Sequence, residues 1–299
     1  LLAIVGPTAV GKTALSIALA RGLGGEIVSA DSRQIYRGMD IGTAKPTTAE
    51  RAAAPHHLVD IVDPDEDFSL ALYQELAYTA IDGILARGRL PLLVGGTGQY
   101  LAAVLEGWQI PRVEPRPELR AMFEREAEQH GAAALHERLT RVDPAAAAGI
   151  LPTNVRRVIR ALEVYEVTGR PISEQQGKRP PPYRVRTLWL TLPPADLYAR
   201  IDRRVDIMVA DGLVDEVRGL VSRGYGWGLP ALSSLGYREF QPYLAGAIEL
   251  DEAIQRLKFN THAFARRQAN WFRRLPGVAQ LAADAPGLVE RSIERLGHL

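Results

Sequence analysis

Cysteine is absent from the 299-residue sequence. Disulfides, thiolate metal ligands and cysteine nucleophiles are therefore excluded, and the composition suits a reducing cytoplasm. No apolar run is long enough to span a bilayer, and no charged-then-apolar leader is present. The expectation is a cytoplasmic chain with no membrane partner. Neither sign of charge dominates: 36 Lys and Arg stand against 35 Asp and Glu, for a net charge of +1. Any nucleic-acid surface must then be local. The six His are scattered, and the adjacent His56 and His57 do not share a helix face, so no metal site is read from them. The sequence opens on Leu1 inside an apparent strand and without an initiator Met, so the natural N-terminus is expected either to have been trimmed or to lie before Leu1. What remains is ordinary globular material, 46% hydrophobic and 24% charged, long enough for a large core domain carrying a smaller one.

Short apolar runs at 1–5, 26–30, 57–62, 90–94 and 187–192 read as strands. Helical periodicity fills 12–23 and 69–87 between them. Such alternation predicts right-handed crossovers and a mostly parallel sheet covered on both faces. After Trp108 the character changes. Pro111, Pro115 and Pro117 interrupt the pattern, three helices follow at 118–129, 132–141 and 154–168, and Pro180-Pro181-Pro182 closes the excursion. We expect an α/β fold: a P-loop NTPase-like core over 1–111 and 186–299, a helical insertion over 112–185, and a helical C-terminal part with long helices at 197–222 and 251–275. Residues 256–274 hold six Lys or Arg and no acid. Leu257, Phe264 and Trp271 recur every seven residues, predicting a core-facing stripe. Arg266 and Arg267 repeat at Arg273 and Arg274, predicting a cationic one.

Gly6-Pro7-Thr8-Ala9-Val10-Gly11-Lys12-Thr13 matches G-x-x-x-x-G-K-[ST] and lies after a strand and before a helix, as the motif requires. The glycines let successive backbone N–H groups turn toward phosphate oxygens, and the helix N-terminus adds partial positive charge. Lys12 supplies a full charge and Thr13 a hydroxyl for Mg²⁺. The usual nucleotide-enzyme partners are missing. The strand at 90–94 runs into Gly95-Gly96-Thr97 where an ATPase places a Walker-B aspartate. Asp31 instead follows the second strand directly. In open α/β sheets ligands bind beyond the carboxyl ends of the strands, so Asp31 and Thr97 both fall at the phosphate rim. Pattern alone leaves Asp31 open between a general base or Mg²⁺ ligand and a helix N-cap.

Together these residues resemble the tRNA dimethylallyltransferase (tRNA isopentenyltransferase) family. The segments that carry the resemblance run nearly end to end. They are the phosphate loop; Asp31-Ser32-Arg33-Gln34-Ile35-Tyr36 with Gly38 through Pro46; Pro55-His56-His57-Leu58; and Val94-Gly95-Gly96-Thr97-Gly98-Gln99-Tyr100. Further on come Asn154 through Glu163, Arg200-Ile201 with Arg204, Gly212-Leu213 with Glu216-Val217, Gly236-Tyr237-Arg238, and Arg266-Arg267-Gln268 with Trp271-Phe272. The resemblance implies a dimethylallyl diphosphate donor, Mg²⁺, and a tRNA acceptor modified at the exocyclic amine of the adenine immediately 3′ of the anticodon. That base would be extruded into a channel. Residues 6–13 would bind the diphosphate. Asp31 would be the general base, with Thr97 and Arg204 as its catalytic companions. Contacts to tRNA would come from Asp31, Ser32, Arg33, Gln34 and Thr97, from Arg156, Arg157, Val158, Ile159 and Arg160 in the insertion, and from Gly236, Tyr237, Arg238, Arg266, Arg267, Gln268, Arg273 and Arg274. A monomer is expected. A P-loop kinase, an isopentenyltransferase acting on free adenylate and a non-enzymatic RNA-binding module are the competing readings. The long insertion and the basic C-terminal helix favour a large RNA acceptor.

Overall fold

The computed structural model describes residues 1–275 and 277–297. Chain order begins with β1 (Leu2–Val5), fully buried because all four of its residues are apolar and it lies inside the sheet. α1 (Lys12–Leu23) follows, starting at left-handed Gly11 and ending at Gly24, whose N–H caps the Ala20 carbonyl. Next come β2 (Gly25–Ser29), α2 (Thr48–Ala53), β3 (His56–His57), α3 (Leu70–Ala86), β4 (Leu90–Gly95) and α4 (Gly98–Leu105). α2 begins with a reciprocal capping box between Thr47 and Glu50, a signature of helix entry.

The chain divides into two compact units, residues 1–104 with 182–299 and residues 105–181. The second unit is built from β5 (Trp108–Gln109), α5 (Pro117–Val142), α6 (Pro144–Gly149), α7 (Val155–Thr168), α8 (Ile172–Gln175) and β6 (Gly177–Lys178). α5 is broken at Gly131, which takes φ 85°, so it is the two helices expected at 118–129 and 132–141. β5 and β6 pair antiparallel, a ribbon the proline-rich composition had concealed. The unit's core is Phe123, Leu135, Leu139, Val158, Ile159 and Leu162. Buried Glu163 is matched by Arg120 and Arg160.

The first unit resumes with β7 (Arg186–Thr191), α9 (Pro194–Ala210), α10 (Leu213–Ser222), α11 (Gln241–Leu244), α12 (Leu250–Phe272), β8 (Ala279–Ala282) and α13 (Leu288–Leu296). Its six strands run in the order β3-β2-β4-β1-β7-β8, and every pairing is parallel. Strands β1 and β4 are central, so the phosphate loop after β1 and the turn after β4 emerge side by side at one sheet edge.

Three expectations need correction. The strand at 57–62 is cut to His56–His57 because Leu58 and Asp60 take φ of 61° and 57°, a left-handed conformation that ends extended pairing. Asp60 instead ion-pairs with Lys45 and Arg51. The helix at 197–222 is two, since Gly212 at φ 100° separates α9 from α10. β8 adds an edge strand within a C-terminal part expected to be helical, and α13 fits that helical expectation. Among the described residues no helix is long and apolar enough to cross a membrane.

Candidate active site

The phosphate loop curls as its sequence demands, with Ala9 at φ 62° and Gly11 at φ 105°. Lys12 Nζ donates to the carbonyls of Gly6 and Pro7 at 2.9 and 2.8 Å. Burial pushes its ammonium down to about 8, Asp31 opposing the shift and Arg204 adding to it. Thr13 follows at the start of α1, facing the same cleft. Arg204 reaches the loop from α9, its Nη1 lying 3.4 Å from Thr8 Oγ1. Its guanidinium is also pulled below its ordinary value by burial, against the pull of Asp31 and Glu50.

The rim opposite the loop is made where β2 and β4 converge. Ala30 N–H donates to Val94 O at 2.7 Å, and Thr97 N–H donates to Ala30 O at 3.1 Å. A Cβ on Gly95 would lie 2.1 Å from Ala30 O, so this approach requires glycine. It sets Thr97 against the residue after Asp31: Thr97 Oγ1 accepts the Ser32 N–H at 3.0 Å and donates to Ser32 Oγ at 3.3 Å. Thr97 thus holds the backbone that carries Asp31 rather than its carboxylate. Asp31 Oδ1 accepts the Arg33 N–H at 2.9 Å. No helix follows Asp31: bends, turns and the isolated Tyr36–Val62 bridge lead to residue 40, which removes the N-cap alternative.

Gln268 ties the rim to the loop. It is 6% exposed, accepts the Thr8 N–H at 2.8 Å and donates to Gly96 O at 2.9 Å. Its place is structural to the phosphate site, a role its neighbours Arg266 and Arg267 did not suggest. Gln34 is similarly inward, bonded to Ser29 and to the carbonyls of Thr43 and Ala44. Glu216, one of the residues that carry the family resemblance, clamps the loop at 40–42. Its carboxylate accepts the N–H groups of Asp40, Ile41 and Gly42 at 2.9, 2.8 and 3.0 Å, and the Tyr237 hydroxyl at 2.7 Å.

Two cavities meet at this point. A cleft of 1040 Å³ runs over the phosphate loop and past Lys45, Arg51 and Arg200. A second cavity of 420 Å³ is walled by Ser32, Arg33, Thr97, Gly236, Arg238, Arg267 and Trp271. Thr8, Asp31, Gly96, Arg204, Met208, Phe264 and Gln268 line both. Met208 and Phe264 had not been singled out for the site, because in sequence each belongs to an ordinary apolar helix face.

The remaining candidates differ in their surroundings. Arg33 and Arg238 border the second cavity while bonded to Pro230 O and Glu239. Arg156, Arg157, Arg273 and Arg274 are exposed and without an ion-pair partner among the described residues. Val158 and Ile159 are 0% and 5% exposed in the core of the second unit, and Tyr237 is fully buried, so their side chains pack rather than face solvent. Arg160 is spent on Glu163 and on the Pro111 and Val113 carbonyls. Trp271, expected on a core stripe, is 38% exposed and stands over Gly98 at the second cavity.

The IPP transferase family model matches residues 34–275, and an isopentenyl transferase model matches residues 1–56. A tRNA dimethylallyltransferase of Roseiflexus castenholzii is 70% identical over 98% of this chain and 95% of its own length. That of Chloroflexus aggregans is 64% identical over 96% and 97%. Among solved structures, the full-length tRNA isopentenylpyrophosphate transferase of Bacillus halodurans superposes with a TM-score of 0.72 at 44% identity, covering 99% of this chain and 93% of that one. A eukaryotic dimethylallyltransferase captured acting on tRNA superposes with a TM-score of 0.84 at 28% identity, covering 98% and 77%.

Proposed function

We propose the following reaction for this chain, which belongs to the IPP transferase family. It transfers a prenyl group to tRNA. The donor we assign is dimethylallyl diphosphate, and the acceptor is the exocyclic amine of the adenine immediately 3′ of the anticodon. The observation that carries this reading is that Asp31 and Arg204 line the phosphate cleft and the second cavity at once. A donor held on the loop and a base entering from the other side would meet at that carboxylate.

The loop amides, Lys12 and Arg204 bind the diphosphate and stabilise it as the allylic C–O bond breaks and its electron pair moves onto phosphate oxygen. The amine lone pair forms the new C–N bond. Asp31 takes the proton that the amine must lose, a contribution of roughly a hundredfold to ten-thousandfold. Thr97 fixes the turn that presents Asp31. Removing the adenine from its stack costs a few kcal/mol. The exposed Trp271 ring and the Arg267 guanidinium at the second cavity offset this by stacking and charge.

The Thr13 hydroxyl lines the phosphate cleft, and among the described residues no three His, Asp or Glu side chains form a metal cage. One hydroxyl completed by diphosphate oxygens and water is a donor set that suits Mg²⁺, which would neutralise charge on the leaving group when bound. The acting unit we assign is a monomer. Incubation with labelled dimethylallyl diphosphate, Mg²⁺ and tRNA, followed by nucleoside analysis, tests the assignment. Label is expected in adenosine, with ATP neither required nor consumed. Stoichiometric ATP hydrolysis, or label in no nucleoside, would overturn it in favour of a kinase or a binding module.

A further inference from the structure

We propose that Met208 and Phe264 form the wall against which the prenyl group is measured, and that Met208 sets the length accepted. The inference rests on the donor assignment above.

Thr8 of the phosphate loop is touched from two helices. Arg204 of α9 reaches its hydroxyl at 3.4 Å, and Gln268 of α12 accepts its N–H at 2.8 Å. Met208 lies four residues after Arg204 on α9, and Phe264 lies four residues before Gln268 on α12. Residues four apart share a helix face and are separated by about 6 Å of rise. Each apolar side chain therefore stands one turn from a group fixed on the phosphate loop. Both line the two cavities where they join.

The other residues common to the two cavities are Thr8, Ala9, Asp31, Thr43, Gly96, Arg204 and Gln268, of which only Ala9 carries an apolar side chain, and its methyl belongs to the phosphate loop itself. A diphosphate seated on the loop thus carries its hydrocarbon tail past a polar rim toward an apolar wall one helical turn away. Burial on that wall is the favourable course for a branched alkenyl group. The Arg267 guanidinium lies 5.8 Å from the Phe264 ring centroid, a weak attraction for the ring. Met208 is half-buried at the edge of the apolar cluster that holds Val205 and Leu213, and it lines the junction that Phe264 also lines. Its unbranched side chain can shift, and a tail one isoprene unit longer has to displace it. Shape discrimination of this kind in an apolar pocket is worth about tenfold to two-hundredfold for small changes in chain length.

The test compares kcat/KM for dimethylallyl diphosphate and geranyl diphosphate with one anticodon stem-loop. Because both donors are measured on the same preparation, their ratio cancels any loss of folded protein. Wild type is expected to favour the shorter donor strongly. Met208→Ala is expected to shift the ratio toward geranyl by at least about tenfold. Met208→Phe is expected to raise KM for dimethylallyl diphosphate by a larger factor than it raises the Kd for RNA. An unchanged ratio in Met208→Ala, or a wild type that uses both donors equally, would overturn the proposal. A wild type that modifies RNA with neither donor would overturn the donor assignment itself, and the proposal with it.

Discussion

Lys12 gives the phosphate site a pH dependence whose sign is fixed by its surroundings. Burial takes its ammonium from 10.5 to about 8, with Asp31 opposing and Arg204 assisting. Such a fall corresponds to roughly 3 kcal/mol between the protonation states. For stability, the folded value lies below the unfolded one. The protonated amine therefore burdens the folded state below about pH 8, and the burden is relieved as pH climbs from about 8 through 10.5. For ligand binding the sign reverses, because a diphosphate selects the charged amine. Affinity for dimethylallyl diphosphate should be level up to about pH 8, then weaken by as much as tenfold per pH unit. Isothermal titration between about pH 6.5 and 9.5, in two buffers of different ionisation enthalpy, reads both the affinity and the proton taken up above pH 8. Lys12→Met serves as the control for titration of the ligand, and should lose affinity at neutral pH together with the break near pH 8. An affinity that stays level to pH 9.5, or a break that survives in Lys12→Met, would refute the assignment of that proton to Lys12.

Asp31→Asn should keep tRNA affinity and lower the rate of transfer by at least about a hundredfold in single-turnover assays; an intact rate with weakened binding would make Asp31 an RNA contact. Glu216→Ala leaves four donors without their shared carboxylate and should lower stability by about 2 kcal/mol, read as a fall in Tm with little change if the clamp is dispensable. Gly98→Ala would set a Cβ 2.5 Å from the Trp271 ring, so KM for RNA should rise while donor affinity holds. Neutralising Arg273 and Arg274, which are exposed and free of ion pairs among the described residues, should weaken RNA binding and flatten its salt dependence by about one log–log unit per lost contact at most. Identical slopes would leave these two as solvated charges.

The elements that sequence made legible are those whose pattern is local. The phosphate loop needs only its own glycines and the helix behind it. β1 and β4 are apolar runs with one solution, burial inside a parallel sheet. The failures are where long-range pairing overrides local preference. Residues 58–62 carry enough apolar content to suggest a strand, yet Lys45 and Arg51 hold Asp60 in a left-handed turn. β8 has no strand character of its own until β7 offers an edge to pair with. Val158 and Ile159, by contrast, follow the local helical period that puts them on one face with Val155 and Leu162, and that face is the core of the second unit. Thr97 was legible as a rim residue, whereas its partner, the Ser32 backbone rather than the Asp31 carboxylate, depended on how closely β2 and β4 approach.

The C-terminal helix makes the same point about charge and burial together. Its heptad of Leu257, Phe264 and Trp271 has the form of a core stripe, and only Leu257 is buried at 3%. An apolar face needs a cover, and a sequence cannot say whether that cover is another side chain or the space of a cavity. At Gly98 the facing helix offers no side chain, so Trp271 gains room beside the second cavity. The cationic stripe contracts in the same way. Arg256 pairs with Glu252 one turn back, Lys258 with Asp206 on α9, and Arg266 donates to Tyr198. The charge left unpaired gathers at Arg267, Arg273 and Arg274, next to the exposed indole. A phosphate backbone drawn to that end of the helix would bring its bases to the aromatic mouth of the cavity that Asp31 lines. Attraction and alkyl transfer would then be served by successive turns of a single helix.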